Sequence, residues 1–156
     1  MSSGMRLTLM ASLALALSGA CSGNANPVRA DPCRLISKAE MAAAVGAPVE
    51  PGRQRQAIRP EPGLAMCGYP TSTRFGEIVI AVQRPGRDGF DRSRARAKRT
   101  STVPAYHPLE GLGDEAFAAG GGVSVLEGDT FLAVFAQYSF PDFQPIAQRL
   151  AERATS

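Results

Sequence analysis

The run Gly122-Val123-Ser124-Val125-Leu126-Glu127-Gly128-Asp129-Thr130-Phe131-Leu132-Ala133-Val134-Phe135-Ala136 holds two β-branched and aromatic segments. Only Gly128-Asp129 separates them, which suits a two-residue hairpin turn of type II′ or I′. A hairpin of this kind makes neighbouring strands antiparallel. Upstream, Glu77-Ile78-Val79-Ile80-Ala81-Val82-Gln83 is β-branched and bounded by Gly76 and Pro85, so it reads as a strand. Met66-Cys67-Gly68-Tyr69 and Ala116-Phe117-Ala118 read as shorter strands.

Helices flank these strands. In Leu35–Gly46, Ser37 and Glu40 form a capping box, Ile36 can staple onto Met41, and the alanine run propagates the helix. Gly46 then suits the position after the last turn, and Pro48 prevents resumption, giving a helix over 38–45. Residues 90–99 have helical spacing. At the end of the chain Phe143, Ile146, Ala147, Leu150 and Ala151 recur at the spacing of one helix face, with Asp142 as a candidate N-cap and Pro145 in the first turn. Residues 47–63, with four prolines, read as loop holding at most one short strand, and residues 100–113 as loop. The order helix, strands, helix, strands, helix gives an α+β fold. It is a single domain over residues 32–154, with an antiparallel sheet, about three helices packed mainly on one face, and one disulfide. The halves 35–83 and 90–138 share a loose helix-then-strands order, which suggests a duplicated architecture.

The composition fits a folded domain. Of 156 residues 44% are hydrophobic and 20% charged, with a formal net charge of +3, near the globular average. The N-terminus is different in kind. Arg6 precedes eleven mostly apolar residues, Leu7 to Leu17. This is shorter than the roughly 20 residues a membrane-spanning helix needs, and it reads as a signal peptide over residues 1–20. Leu17-Ser18-Gly19-Ala20-Cys21 resembles the lipobox of bacterial lipoproteins, with Leu17 one place further from the cysteine than usual. On that reading Cys21 carries a diacylglyceryl group and residues 21–31 form a lipidated tether. Two or three acyl chains, at about 0.8 kcal/mol per buried CH₂, hold a protein on a membrane stably. The alternative is an ordinary signal peptide cut near Ala20, leaving Cys21 a free thiol. Ser22 after the cysteine matches outer-membrane sorting in a Gram-negative host. The expected location is the cell membrane or outer membrane, facing the periplasm or extracytoplasmic space.

Cys33 and Cys67 remain as an even pair in an exported domain, the arrangement of a disulfide. A metal or redox pair is the rival. There is no C-x-x-C, and His107 is the only histidine, so metal-ligand spacing is absent.

Asp31-Pro32-Cys33-Arg34-Leu35-Ile36, Ala39-Glu40, Gly46, Cys67-Gly68-Tyr69, Gly111-Leu112-Gly113-Asp114-Glu115-Ala116-Phe117 and Gly122-Val123 occur in that order. Together they resemble a group of small actinobacterial lipoproteins with a domain of unknown function. The pattern is D-P-C-x-L followed by a glutamate, then C-x-[WY], then G-[LV]-G-D-E-A, over about residues 31–136. The resemblance implies a lipid-anchored extracytoplasmic domain with a Cys33–Cys67 disulfide. It implies no reaction.

Chemistry-bearing candidates are few. A Ser-His-Asp arrangement would need His107, and G-x-S-x-G is absent. Asp114-Glu115 are carboxylates that can cap, pair with arginine or offer oxygen ligands to a cation. Gly120-Gly121-Gly122 precedes a strand, unlike a phosphate-binding loop. The charge distribution is more distinctive. Residues 84–99 hold seven basic and two acidic side chains, whereas residues 100–156 hold two arginines and seven acids. On a helix, Arg92, Arg96 and Arg99 share one face and Phe90 and Ala97 another. The arginine face suits an acidic partner or anionic headgroups; the alternative is a solvated helix whose arginines pair with the acidic C-terminal half. Nucleic acid is not expected outside the cytoplasm. The expected function is a lipid-anchored, non-enzymatic envelope domain without cofactor or metal, which binds a partner protein through Arg92, Arg96 and Arg99. A binding protein for a small or lipidic ligand is the alternative.

Overall fold

A computed structural model describes residues 31–100 and 105–156. The expected signal peptide, Cys21 and nearly all of the expected tether lie outside the described residues. The elements run α1 (Pro32–Leu35), α2 (Lys38–Val45), β1 (Arg53–Arg55), β2 (Leu64–Pro70), β3 (Glu77–Gln83), α3 (Arg87–Arg99), β4 (His107–Leu109), β5 (Glu115–Ala119), β6 (Gly122–Glu127), β7 (Thr130–Ala136), a 3-10 turn (Pro141–Phe143) and α4 (Gln144–Ala154). All seven strands join one antiparallel sheet in the order β1-β2-β3-β7-β6-β5-β4.

The β6–β7 hairpin closes between Glu127 and Thr130. Gly128 has a positive φ of 55° and Asp129 does not, which fits the II′ turn and excludes I′, where both central residues are positive. In β3, Ile78, Ile80 and Val82 point to one face, and Val79, Ala81 and Gln83 to the other. The long β3–β7 ladder sets Ile80 against Val134 and Ala81 against Ala133.

The first face carries the main core. Ile78, Ile80, Val123, Val125, Leu132 and Val134 are buried against Ile36, Met41, Phe143, Ala147 and Leu150. Helix α2 is capped as its sequence requires. The Ser37 hydroxyl accepts from the Glu40 N–H at 3.2 Å, and the Glu40 carboxylate accepts from the Ser37 N–H at 2.9 Å. Those bonds, with Arg153 at 2.6 Å, hold the Glu40 carboxyl down at about 2, the Ser37 backbone N–H contributing most. The disulfide Cys33–Cys67 joins α1 to β2. Beside it the Tyr69 hydroxyl donates to the Ile36 carbonyl at 2.6 Å. Burial, the largest cause, raises the Tyr69 pKa above its ordinary value.

Several expectations need correction. Helices do lie mainly on one face, but they are α1, α2 and α4. Helix α3 crosses the opposite face, where Phe90 packs with Phe117 and Leu126. Residues 107–109 form an edge strand rather than loop; Pro108 is tolerated there because an edge leaves its missing N–H unneeded. Asp142 does not cap α4. The chain enters that helix through the 3-10 turn, and the Asp142 carboxylate pairs with Arg74. The duplicated architecture also fails. The halves meet antiparallel at β3 and β7, so a two-fold relating them would run perpendicular to the sheet and keep their leading helices on one face. Those helices, α2 and α3, sit on opposite faces.

Candidate functional site

Among the described residues, the second face of the sheet is covered at one end only. Helix α3 begins hard against β7 and β3 because its first turn is glycine-rich. A Cβ on Gly86 would lie 2.2 Å from the Phe131 backbone nitrogen, and one on Gly89 would lie 2.0 Å from the Gln83 side-chain oxygen. No larger residue permits that approach unless a neighbour moves. Phe90 anchors this end in an aromatic cluster, with ring centroids 5.4 Å from Phe117 and 5.8 Å from Phe131. Beyond Phe90 the helix buries no further residue.

Between the later turns of α3 and the sheet lies a trough. Its apolar part, about 470 Å³, is floored by Met66, Ala81, Ala133 and Phe135 and walled by Ala97 and Thr100. Its polar part, about 380 Å³, is lined by Arg59, Glu61, Gln83 and Arg92. Leu64, Ser93, Arg96 and Phe131 line both parts, so the two adjoin. The floor is low because β3, β6 and β7 present small residues on this face: Ala81, Gly122, Ser124 and Ala133.

The arginines of α3 divide into two groups. Arg87 and Arg94 both pair with Glu115, Arg94 at 2.5 Å and also with Asp91 at 2.7 Å. Pairing with Arg87 first, and then with Arg94, holds the Glu115 carboxyl below its ordinary range and raises the Arg87 guanidinium. These two arginines follow the expectation that basic residues of 84–99 meet acids of the C-terminal half. Arg92 and Arg96 face the trough instead. Arg92 pairs with Glu61 at 2.6 Å, and Glu61 also accepts from the Gln83 amide at 3.3 Å. Arg96 and Arg59 have no acidic partner among the described residues. Arg99 is exposed and lines neither part of the trough, so the structure brings together two of the three arginines singled out in the sequence.

The other candidates have local roles. His107 faces the Gln144 amide at 3.0 Å and the Ala105 carbonyl at 3.3 Å, with neither hydroxyl nor carboxylate in reach. Asp114 accepts from the Gly128 N–H at 2.7 Å and braces the hairpin turn. Gly120–Gly122 lies at the β5–β6 turn. Among the described residues no three His, Cys, Asp or Glu side chains cluster as metal ligands. None of the helices there is long and apolar enough to cross a membrane.

Sequence reading missed the trough, Arg59 and Gln83. The available signal was the alternation in β3 of bulky Ile78, Ile80 and Val82 with a face that includes Ala81, repeated in β7 as Leu132 and Val134 against Ala133. No protein-family model, curated protein or solved structure matches the chain.

Proposed function

We propose that the protein is a lipid-anchored extracytoplasmic binding domain, non-enzymatic, whose working surface is the trough between α3 and the second face of the sheet. The anchor rests on the lipobox at Leu17–Cys21 and on the resemblance to small bacterial lipoproteins. The disulfide fits an oxidising compartment. The single observation that carries the binding role is that an apolar cavity adjoins an arginine-lined one. Concave sites with an apolar lining and a few placed polar groups are where ligands bind.

The trough is lined by Phe131 and Phe135 and is open, whereas Ile80 belongs to the main core. The open apolar lining of the trough lies beside Arg92 and Arg96, an arrangement that also suits a protein partner. A second reading, an accessory domain for an envelope protein, draws on Ile58, which is fully exposed in the β1–β2 connection next to Arg59.

The test separates anchor from surface. Cys21→Ala releases the protein from the membrane fraction, and retention without lipid overturns the anchor. Ala133→Trp fills the trough floor, and it abolishes in-cell crosslinking of whatever ligand or partner is recovered with the native protein. Unchanged crosslinking by a folded Ala133→Trp variant overturns the trough as the working surface.

A further inference from the structure

We propose that the trough binds a single-chain anionic lipid, with the acyl chain along Met66, Ala81, Ala133 and Phe135 and the acidic head at Arg96, Arg92 and Arg59. This rests on the trough being the binding surface and specifies its occupant.

Shape and charge both point this way. The apolar part is floored by alkyl and aromatic side chains and has a volume of about 470 Å³, near the lower end of the range for small-ligand pockets, about 300–1,000 Å³. That suits one chain rather than two. The polar part begins where the apolar part ends, at Arg96, which lines both. Three arginines border the polar part against one carboxylate, Glu61, so the local balance is positive. Glu61 is committed to Arg92 and Gln83 and holds them in place. Arg96 has no acid to satisfy it among the described residues. Guanidinium groups recognise carboxylate and phosphate through paired, charge-assisted hydrogen bonds. An apolar tail joined to an acidic head is the chemistry that fills both parts of the trough together.

An acidic amphipathic protein segment is the main competitor. It fits the charge but not the floor. A helix with its side chains is about 10–12 Å across, whereas the apolar part, at about 470 Å³, has the room of a single alkyl chain.

The test titrates the full-length protein, purified in a neutral detergent and then exchanged out of it, with dodecyl phosphate, dodecanoate and dodecanol, followed by native mass spectrometry and calorimetry. The proposal expects one-to-one binding of dodecyl phosphate and dodecanoate, and at least tenfold weaker binding of dodecanol. Arg96→Gln weakens dodecyl phosphate about tenfold and leaves dodecanol unchanged. Ala133→Trp abolishes all three, and Ala119→Leu serves as the milder blocking variant should Ala133→Trp not fold. Equal binding of dodecanol and dodecyl phosphate overturns the assignment of the head to the arginines. No binding of any probe overturns the lipid. If Ala133→Trp then still abolishes crosslinking to an envelope protein, the trough stands as the working surface with a protein occupant; if crosslinking is unaffected, both readings fail.

Discussion

The two faces of the sheet are made by the same strands, yet among the described residues one is sealed and the other left partly open. On the first face Ile78, Ile80, Val125, Leu132 and Val134 stand tall and three helices close over them. On the second, Ala81, Ser124 and Ala133 stand low, and one helix is pressed close at its glycine-rich start and packs further along only through the partly buried Ala97. Because side chains alternate along a strand, residue size on each face can be set separately. The difference teaches that stability is concentrated on the first face and that the second has room for a ligand.

The largest effect should come from the covalent tie on the first face. Replacing both Cys33 and Cys67 with serine opens a loop of 34 residues, and the chain-entropy account gives about 3–4 kcal/mol for a loop of that length. Chemical denaturation measures it; a loss below about 1 kcal/mol would mean that packing alone fixes α1. Next, Ile80→Ala removes a fully buried side chain and should cost about 3 kcal/mol. Phe135→Ala, on the second face and 36% exposed, should cost less than about 1 kcal/mol. Equal losses in thermal unfolding would break the contrast between the faces. Gly86→Ala forces α3 away from the Phe131 backbone and should cost about 1–3 kcal/mol through overpacking. It should also alter probe binding in the trough, which Ile80→Ala should not.

The smallest effect concerns pH. The Glu40 carboxyl is held at about 2 against an ordinary 4.5. A lowered carboxyl stabilises the fold above its unfolded pKa and ceases to do so as pH falls through the folded value. The contribution is therefore complete above about 4.5 and lost on descent through about 2. In Glu40→Gln this part of the pH–stability profile should flatten. An unchanged profile in thermal unfolding between those limits would remove the capping box from the first face's stability.

Much of the fold was legible in local pattern. Helix α2 announces itself through Ser37, Glu40 and Gly46, because capping chemistry is local. Strands β3, β6 and β7 follow from β-branched runs and the Gly128-Asp129 turn. What escaped depends on contacts distant in sequence. Helix α1 has one turn and depends on the Asp31 cap and the bond to Cys67. Strand β4 exists only as a partner for β5. The spacing of Phe90 and Ala97 marks an apolar stripe on α3, but a stripe does not say which sheet face it meets. The candidate site was half legible for the same reason. Arg92 and Arg96 stood out as charge, whereas the trough arises from small residues on separate strands, brought together only by the sheet.

The bond between Cys33 and Cys67 also determines how the domain bears tension. A pull entering from the N-terminal residues reaches Cys33 after a few residues and passes directly to Cys67 in β2, between β1 and β3. Residues 34–66, including α2 and β1, lie inside the closed loop and outside the load path. Tension applied from the N-terminal side therefore reaches the sheet without first unravelling α2.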